Sequence, residues 1–139
     1  MMKKILILCT GNSCRSQMAQ GFLQSFDKKL EVHSAGTKPE KQVNPNAVKV
    51  MAELGIDISH HIPKNVAMYT GESWDYVITV CDNAKESCPV FIGEVKHRLH
   101  MGFEDPADAH GEPEYVLSVY RRIRDEIKEH FNNFKALLS

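Results

Sequence analysis

Residues 5–8 read Ile-Leu-Ile-Leu and run from a pair of lysines straight into a turn of short polar residues, after which helical spacing begins at Gln17. An unbroken apolar run of this length suits a strand covered on both faces, and a strand that turns directly into a helix commits the chain to an α/β fold with a parallel sheet. Met18, Phe22 and Phe26 fall four apart with Ala19 and Leu23 beside them, the apolar stripe of that first helix. Residues 30–35 alternate apolar and polar up to Gly36 and predict a second strand. Asn44 before Pro45 marks a helix start, a capping side chain ahead of a proline at the first helical position, and Ala47, Met51 and Leu54 then run to a stop at Gly55. Residues 76–81 read as a third strand and 95–101 as a fourth. Val116, Tyr120, Ile123, Ile127, Phe131, Phe134 and Leu138 trace one long C-terminal helix. Trp74 and the helix aromatics are expected in the core. The 139 residues suffice for one compact core and leave little room for two, so residues 1–139 are expected to form a single domain.

Composition narrows the function classes. Seventeen Lys and Arg stand against 18 Asp and Glu, a formal charge of -1, and the basic residues are scattered; without a broad basic field, nucleic acid is not an expected partner. The apolar run near the N-terminus is too short for a signal-peptide core or a bilayer span, so a cytoplasmic protein with no membrane association is expected. In a reducing compartment the four cysteines, Cys9, Cys14, Cys81 and Cys88, point to catalysis, metal or packing rather than to a disulfide framework.

Ligands of parallel α/β sheets bind beyond the carboxyl ends of the strands, and Cys9, Cys81 and Asp105 all follow strand-like segments. The turn after the first strand reads Cys9, Thr10, Gly11, Asn12, Ser13, Cys14, Arg15, Ser16. Gly11 and Asn12 permit the positive φ values of a tight loop, and the amides of Thr10, Gly11, Asn12, Ser13 and Cys14 can converge on one tetrahedral oxyanion at the positive end of the helix dipole. Arg15 adds a planar fork for two of its oxygens. The same field is expected to lower the Cys9 thiol from about 8.5 and make the thiolate its resting form, with Ser16 donating to the sulfur. The spacing is neither a Walker loop nor a dinucleotide loop, so no nucleotide cofactor is expected. Thiolate attack on a tetrahedral oxyanion needs a protonated leaving oxygen, and Asp105, stiffened by Pro106, is the candidate acid.

If residues 81–88 were helical, the Cα atoms of Cys81 and Cys88 would stand about 10 Å apart, beyond the ~7 Å limit for a disulfide, so the pair could bond only if the segment looped out. Two packed cysteines, or zinc ligands of unfavourable spacing, remain alternatives. Cys14 reads as structural, facing the core from the loop. The histidines, His60, His61, His97 and His100 among them, show no metal-binding spacing on a firm helix, and no metal is expected.

Taken together, Cys9-x5-Arg15-Ser16 and the distant Asp105-Pro106 resemble the low-molecular-weight protein tyrosine phosphatase superfamily. Within it, the chain looks most like the thioredoxin-coupled arsenate reductases, through Ser-Ala-Gly at 34–36, Val-Asn-Pro at 43–45, Gly-Ile-Asp-Ile-Ser at 55–59, the Cys81 and Cys88 pair, Gly-Phe-Glu-Asp-Pro-Ala at 102–107 and Arg-Asp-Glu-Ile at 124–127. The resemblance implies a three-layer fold, a four-stranded parallel sheet with helices on both faces. It further implies that Cys9 attacks arsenate held by the loop and Arg15 while Asp105 protonates the departing oxygen. Cys81 would then attack Cys9 and release arsenite, and Cys88 would attack Cys81, leaving a disulfide for thioredoxin or a similar dithiol protein to reduce. No cofactor is implied, and a monomer is expected. Some arsenate reductases bind potassium beside the loop through acidic side chains; here the matching positions are Gln20 and Lys64, with Asn12 and Ser34 retained, so Lys64 is expected to replace the cation. His100 and Met101 stand where many relatives carry a tryptophan. Ala107 and Asp108 follow Asp105-Pro106 where phosphatases place tyrosines, which disfavours phosphotyrosine peptides. The alternative is a phosphomonoesterase of the low-molecular-weight phosphatase type, which would need neither Cys81 nor Cys88.

Overall fold

The computed structural model describes residues 3–82 and 89–138. Its four strands, β1 (Lys4–Cys9), β2 (Glu31–Gly36), β3 (Trp74–Thr79) and β4 (Val95–His100), form one parallel sheet in the order β2-β1-β3-β4. β1 lies inside the sheet, and Ile5, Leu6, Ile7 and Leu8 have no exposed surface, which is why its sequence is apolar without alternation. β4 is the edge, and Lys96, His97, Arg98 and Leu99 are exposed along it.

Alternation along β2 shows how the two faces are covered. Ser34 turns to the side of α1 (Arg15–Phe26), where its hydroxyl donates to Gln20 Oε1 at 2.5 Å. His33 turns to the other side and packs its ring on Tyr69, just beyond a 3-10 turn at Val66–Met68. The C-terminal helix α3 (Pro113–Leu137) lies with α1, and its Phe134 meets the ring of Tyr76 on β3 edge-on. One face therefore carries α1 and α3 and the other, among the described residues, the 3-10 turn and Tyr69; the expected four-stranded parallel α/β sheet is the observed one.

α2 (Pro45–Ala52) starts as its sequence predicts: Asn44 Oδ1 accepts from the amides of Asn46 and Ala47 at 2.8 and 3.4 Å, with Pro45 at the first position. Its apolar residues Ala47, Val50 and Met51 are buried, while Leu54, expected on the same stripe, is exposed because the helix ends at Ala52 and Gly55 turns the chain away at a φ of 77°. β3 begins and ends two residues before the expected 76–81. It opens where Trp74 N donates to Glu94 O at 2.7 Å, and regular pairing stops at Thr79, so Cys81 stands beyond the strand rather than in it. Trp74 is buried as expected and donates through Nε1 to Tyr69 O.

Candidate active site

The turn that leaves β1 is held by its carbonyls. Cys9 O accepts from Thr37 N at 3.3 Å, Thr10 O from Lys38 N at 2.9 Å, Gly11 O from Glu40 N at 2.8 Å and Ser13 O from Asn44 N at 2.7 Å. Asn12 O takes the Gln17 side-chain amide at 3.0 Å, and Cys14 O takes Met18 N. The amides of Gly11, Asn12, Ser13, Cys14 and Arg15 meet no protein acceptor among the described residues. α1 begins behind them with no capping side chain and no acidic residue in its first turn, so the positive end of its dipole is uncompensated by the protein. Amides left over in this way at a helix start form an anion cradle.

Asn12 is the residue that bends the loop, at a φ of 49°, and it is wholly buried. Gly11, expected to share that conformation, does not have a positive φ; a Cβ there would come within 3.0 Å of Glu40 Cγ, so its role is close approach. The Asn12 side chain points into the protein, donating to Ser16 Oγ at 2.7 Å and Ser34 Oγ at 2.9 Å and accepting from Gln17 Nε2 and Lys64 N. Ser16 is therefore engaged with Asn12 and not, as expected, with the Cys9 sulfur. Gly36, at the end of β2, was missing from the sequence-derived site. A Cβ there would stand 2.4 Å from Thr10 O and 3.1 Å from Asn12 N, so the loop can close over this position only if it carries no side chain. In the sequence it shows as a glycine where a strand ends, within the Ser-Ala-Gly at 34–36 shared with the arsenate reductases.

Arg15 lies across the mouth of the loop. Nη1 donates to Phe103 O at 3.0 Å, Nη2 stands 3.4 Å from Asp105 Oδ2, and Nε is buried with no hydrogen-bond partner among the described residues. A buried donor without an acceptor costs about 1–3 kcal/mol, which an anion accepting from it would recover. Asp105 caps the 3-10 turn Pro106–Asp108, its Oδ1 accepting from Ala107 N at 3.0 Å, so both carboxylate oxygens are held. Extension of β4 carries it here: Met101 N and Phe103 N donate to Thr79 O and Val80 O. Arg15, Cys81, Phe103 and Asp105 line one cleft of about 580 Å³.

Sheet register brings Cys81 to the same place. Leu8 pairs with Thr79, and Val80 N donates to Leu8 O at 2.9 Å, so Cys81 falls beside the start of the loop. Its sulfur is 3.3 Å from Thr10 Oγ1, and it stands near enough to Cys9 to interact with it. Cys9 and Cys81 are both free thiols, 3% and 4% exposed. That proximity works against the expected thiolate: the neutral Cys9 thiol donating toward the Cys81 sulfur, together with burial, holds Cys9 well above its ordinary pKa, outweighing Arg15 and the Thr10 amide, which pull it down. Cys14 is buried as expected and pushed up to about 12, chiefly by burial and then by the Asp105 charge. Cys88 lies outside the described residues.

The group around Asn12, Gln20, Ser34 and Lys64 does not fit a potassium ion. It contains no carboxylate, Asn12 Oδ1 already accepts two N–H groups, and Ser34 Oγ accepts from Asn12 while donating to Gln20.

A family profile described as low molecular weight phosphotyrosine protein phosphatase matches residues 4–139. The chain belongs to that family. Among curated members of known name it is similar to the arsenate reductases of Halalkalibacterium halodurans, at 44% identity over 133 residues and 95% of this chain against 94% of that one, and of Shouchella clausii, at 46% over 136 residues and 96% of each. Among solved structures it superposes on an arsenate reductase in the phosphate binding state with a TM-score of 0.82, 32% identity, and coverage of 99% of this chain and 100% of the other. Arsenate reductases solved in the oxidized and reduced states match with TM-scores of 0.82 and 0.77. Among the described residues no helix is long and apolar enough to cross a membrane.

Proposed function

We propose that this chain is an arsenate reductase in which Cys9, Cys81 and Cys88 pass a disulfide outward to thioredoxin or a similar dithiol protein. The observation that carries this reading is the Cys81 thiol in contact with Cys9, a second nucleophile already beside the first. Arsenate enters the cradle of loop amides, and Arg15 supplies Nε and the rest of its fork. The anion takes the place of the Cys9–Cys81 interaction, Asp105 accepts the Cys9 thiol proton and passes it to the departing oxygen, and the Cys9 sulfur attacks arsenic while that oxygen leaves as water. Cys81 sulfur then attacks Cys9 sulfur. An S–S bond forms, the S–As bond breaks with its electron pair passing to arsenic, As(V) becomes As(III), and the thiol proton leaves with arsenite. Attack by Cys88 on Cys81 restores the Cys9 thiol and places the disulfide between Cys81 and Cys88, where a dithiol protein reduces it. One copy of the chain holds every residue these steps need.

The test is arsenate-dependent NADPH oxidation in the presence of thioredoxin and thioredoxin reductase, with the parent and Cys88→Ser compared. Sustained NADPH oxidation in the parent is expected, and in the variant one equivalent of arsenite per chain without sustained NADPH oxidation. An inactive parent that hydrolyses an aryl phosphate equally well with and without Cys88 would replace this reading with a phosphatase.

A further inference from the structure

The relay requires Cys81 to be held against Cys9, and Cys81 stands beyond the last regularly paired residue of β3, directly after Val80, whose N–H donates to Leu8 O and whose carbonyl accepts from Phe103 N. One side chain spans this step. His100, the last residue of β4, pairs across the sheet with Thr79, and its Nδ1 lies 2.8 Å from Thr79 Oγ1. Its other nitrogen, Nε2, lies 2.9 Å from Asp82 Oδ1. With Nε2–H donating to the carboxylate, Nδ1 accepts the Thr79 hydroxyl proton, and both ring nitrogens are satisfied. Thr79 and Asp82 flank Val80 and Cys81, so the imidazole bridges the residue before this dipeptide to the residue after it. Room for the bridge comes from Gly102, where a Cβ would stand 3.2 Å from His100 Nε2 and 3.4 Å from Asp82 Oδ1.

From this bridge we infer that His100 is a positioning residue for the second chemical step: by tying Thr79 to Asp82 it holds the Cys81 sulfur in line with the Cys9 sulfur. The inference rests on the proposed role of Cys81. It assigns His100 no contact with the oxyanion and no part in the attack of Cys9 on it. A misaligned thiol loses most of the advantage of proximity, because attack at sulfur needs the incoming sulfur, the attacked sulfur and the leaving atom in line.

The experiment uses the full chain carrying Cys88→Ser, which stops the relay at the Cys9–Cys81 disulfide. His100→Phe keeps a ring of similar volume and removes both hydrogen bonds; Asp82→Ala removes the bridge from an exposed side. Disulfide formation is followed by acid quench and mass spectrometry, once after arsenate and once after hydrogen peroxide. Peroxide oxidises Cys9 to a sulfenic acid, and attack by the Cys81 thiol then gives the same disulfide and water. The affinity for inorganic phosphate serves as the control on loop and Arg15. Each variant is expected to slow disulfide formation about tenfold or more in both arms, with phosphate affinity within about twofold of the parent and no further loss in the double variant. Unchanged disulfide rates, or phosphate affinity falling in parallel with them, would overturn the inference. A parent that forms the disulfide with peroxide and not with arsenate would instead sink the reductase reading, while the peroxide arm still decides the role of His100.

Discussion

Out of water and beside Cys81, Cys9 is costly to ionise, and that cost exceeds the pull of Arg15 and of the Thr10 amide. The sign of the effect is testable. Cys81→Ala removes the main cause of the upward shift, so the pH midpoint for alkylation of Cys9 by iodoacetamide is expected to fall relative to the parent; a midpoint that stays or rises would show that burial alone sets it. At this scale much of the site was legible in the sequence. Arg15 and Asp105 line one cleft with Cys9 in reach of the Arg15 charge, because their residue types and their places after strands carry the chemistry. The charge state of Cys9 was not legible, since it depends on a neighbour 72 positions away in the chain. The side-chain partners of Asn12 were hidden for the same reason: they come from α1, β2 and the segment at Lys64.

Helices and strands were readable where the pattern is local, and blurred where an edge is set by a partner. The start of α2 follows from Asn44 and Pro45 alone. The ends of β3 follow from what pairs with it, and the branched residues Val77, Ile78 and Val80 read as strand on either side of the true boundary. Between elements, the junction of α2 with α3 depends on charge. Glu53, the residue after α2, accepts from Arg121 through Nε and Nη2 and from Arg124 Nη1, which also donates to Val50 O at 3.0 Å and so caps the end of α2. Arg121 first, and then Arg124, pull the Glu53 carboxyl down to about 2. A folded-state pKa below the ordinary 4.5 means that this stability is present above about pH 4.5 and is lost as the pH falls toward 2. The difference in urea midpoint between the parent and Glu53→Gln is therefore expected to be largest near neutral pH and to shrink as the pH is lowered through that window. A gap that stays constant with pH would show that the glutamate acts through packing.

On the scale of the whole molecule, a ligand that binds only the folded chain stabilises all of it, since the cradle draws on β1, α1, β2 and the segment before β3 at once. Phosphate at a hundred times its dissociation constant should add about 2.7 kcal/mol to the unfolding free energy, and Arg15→Ala should abolish most of that gain. Exchanging sodium for potassium in the same thermal melts should change neither the apo stability nor the phosphate shift, because the oxygens beside the loop are already paired within the protein. A rise in either with potassium would restore a cation to that place. The parallel register of β1 and β3 has a consequence of a different kind. Cys81 meets Cys9 only because Leu8 pairs with Thr79, so the number of residues between Trp74 and Cys81 is as constrained as their identity. As sequences diverge from this one, insertions and deletions can collect in exposed turns such as residues 109–112, but a single residue gained or lost within β3 would turn the second sulfur to the wrong side of the sheet and leave a chain that still folds and still holds an oxyanion, with nothing beside it to take the electrons.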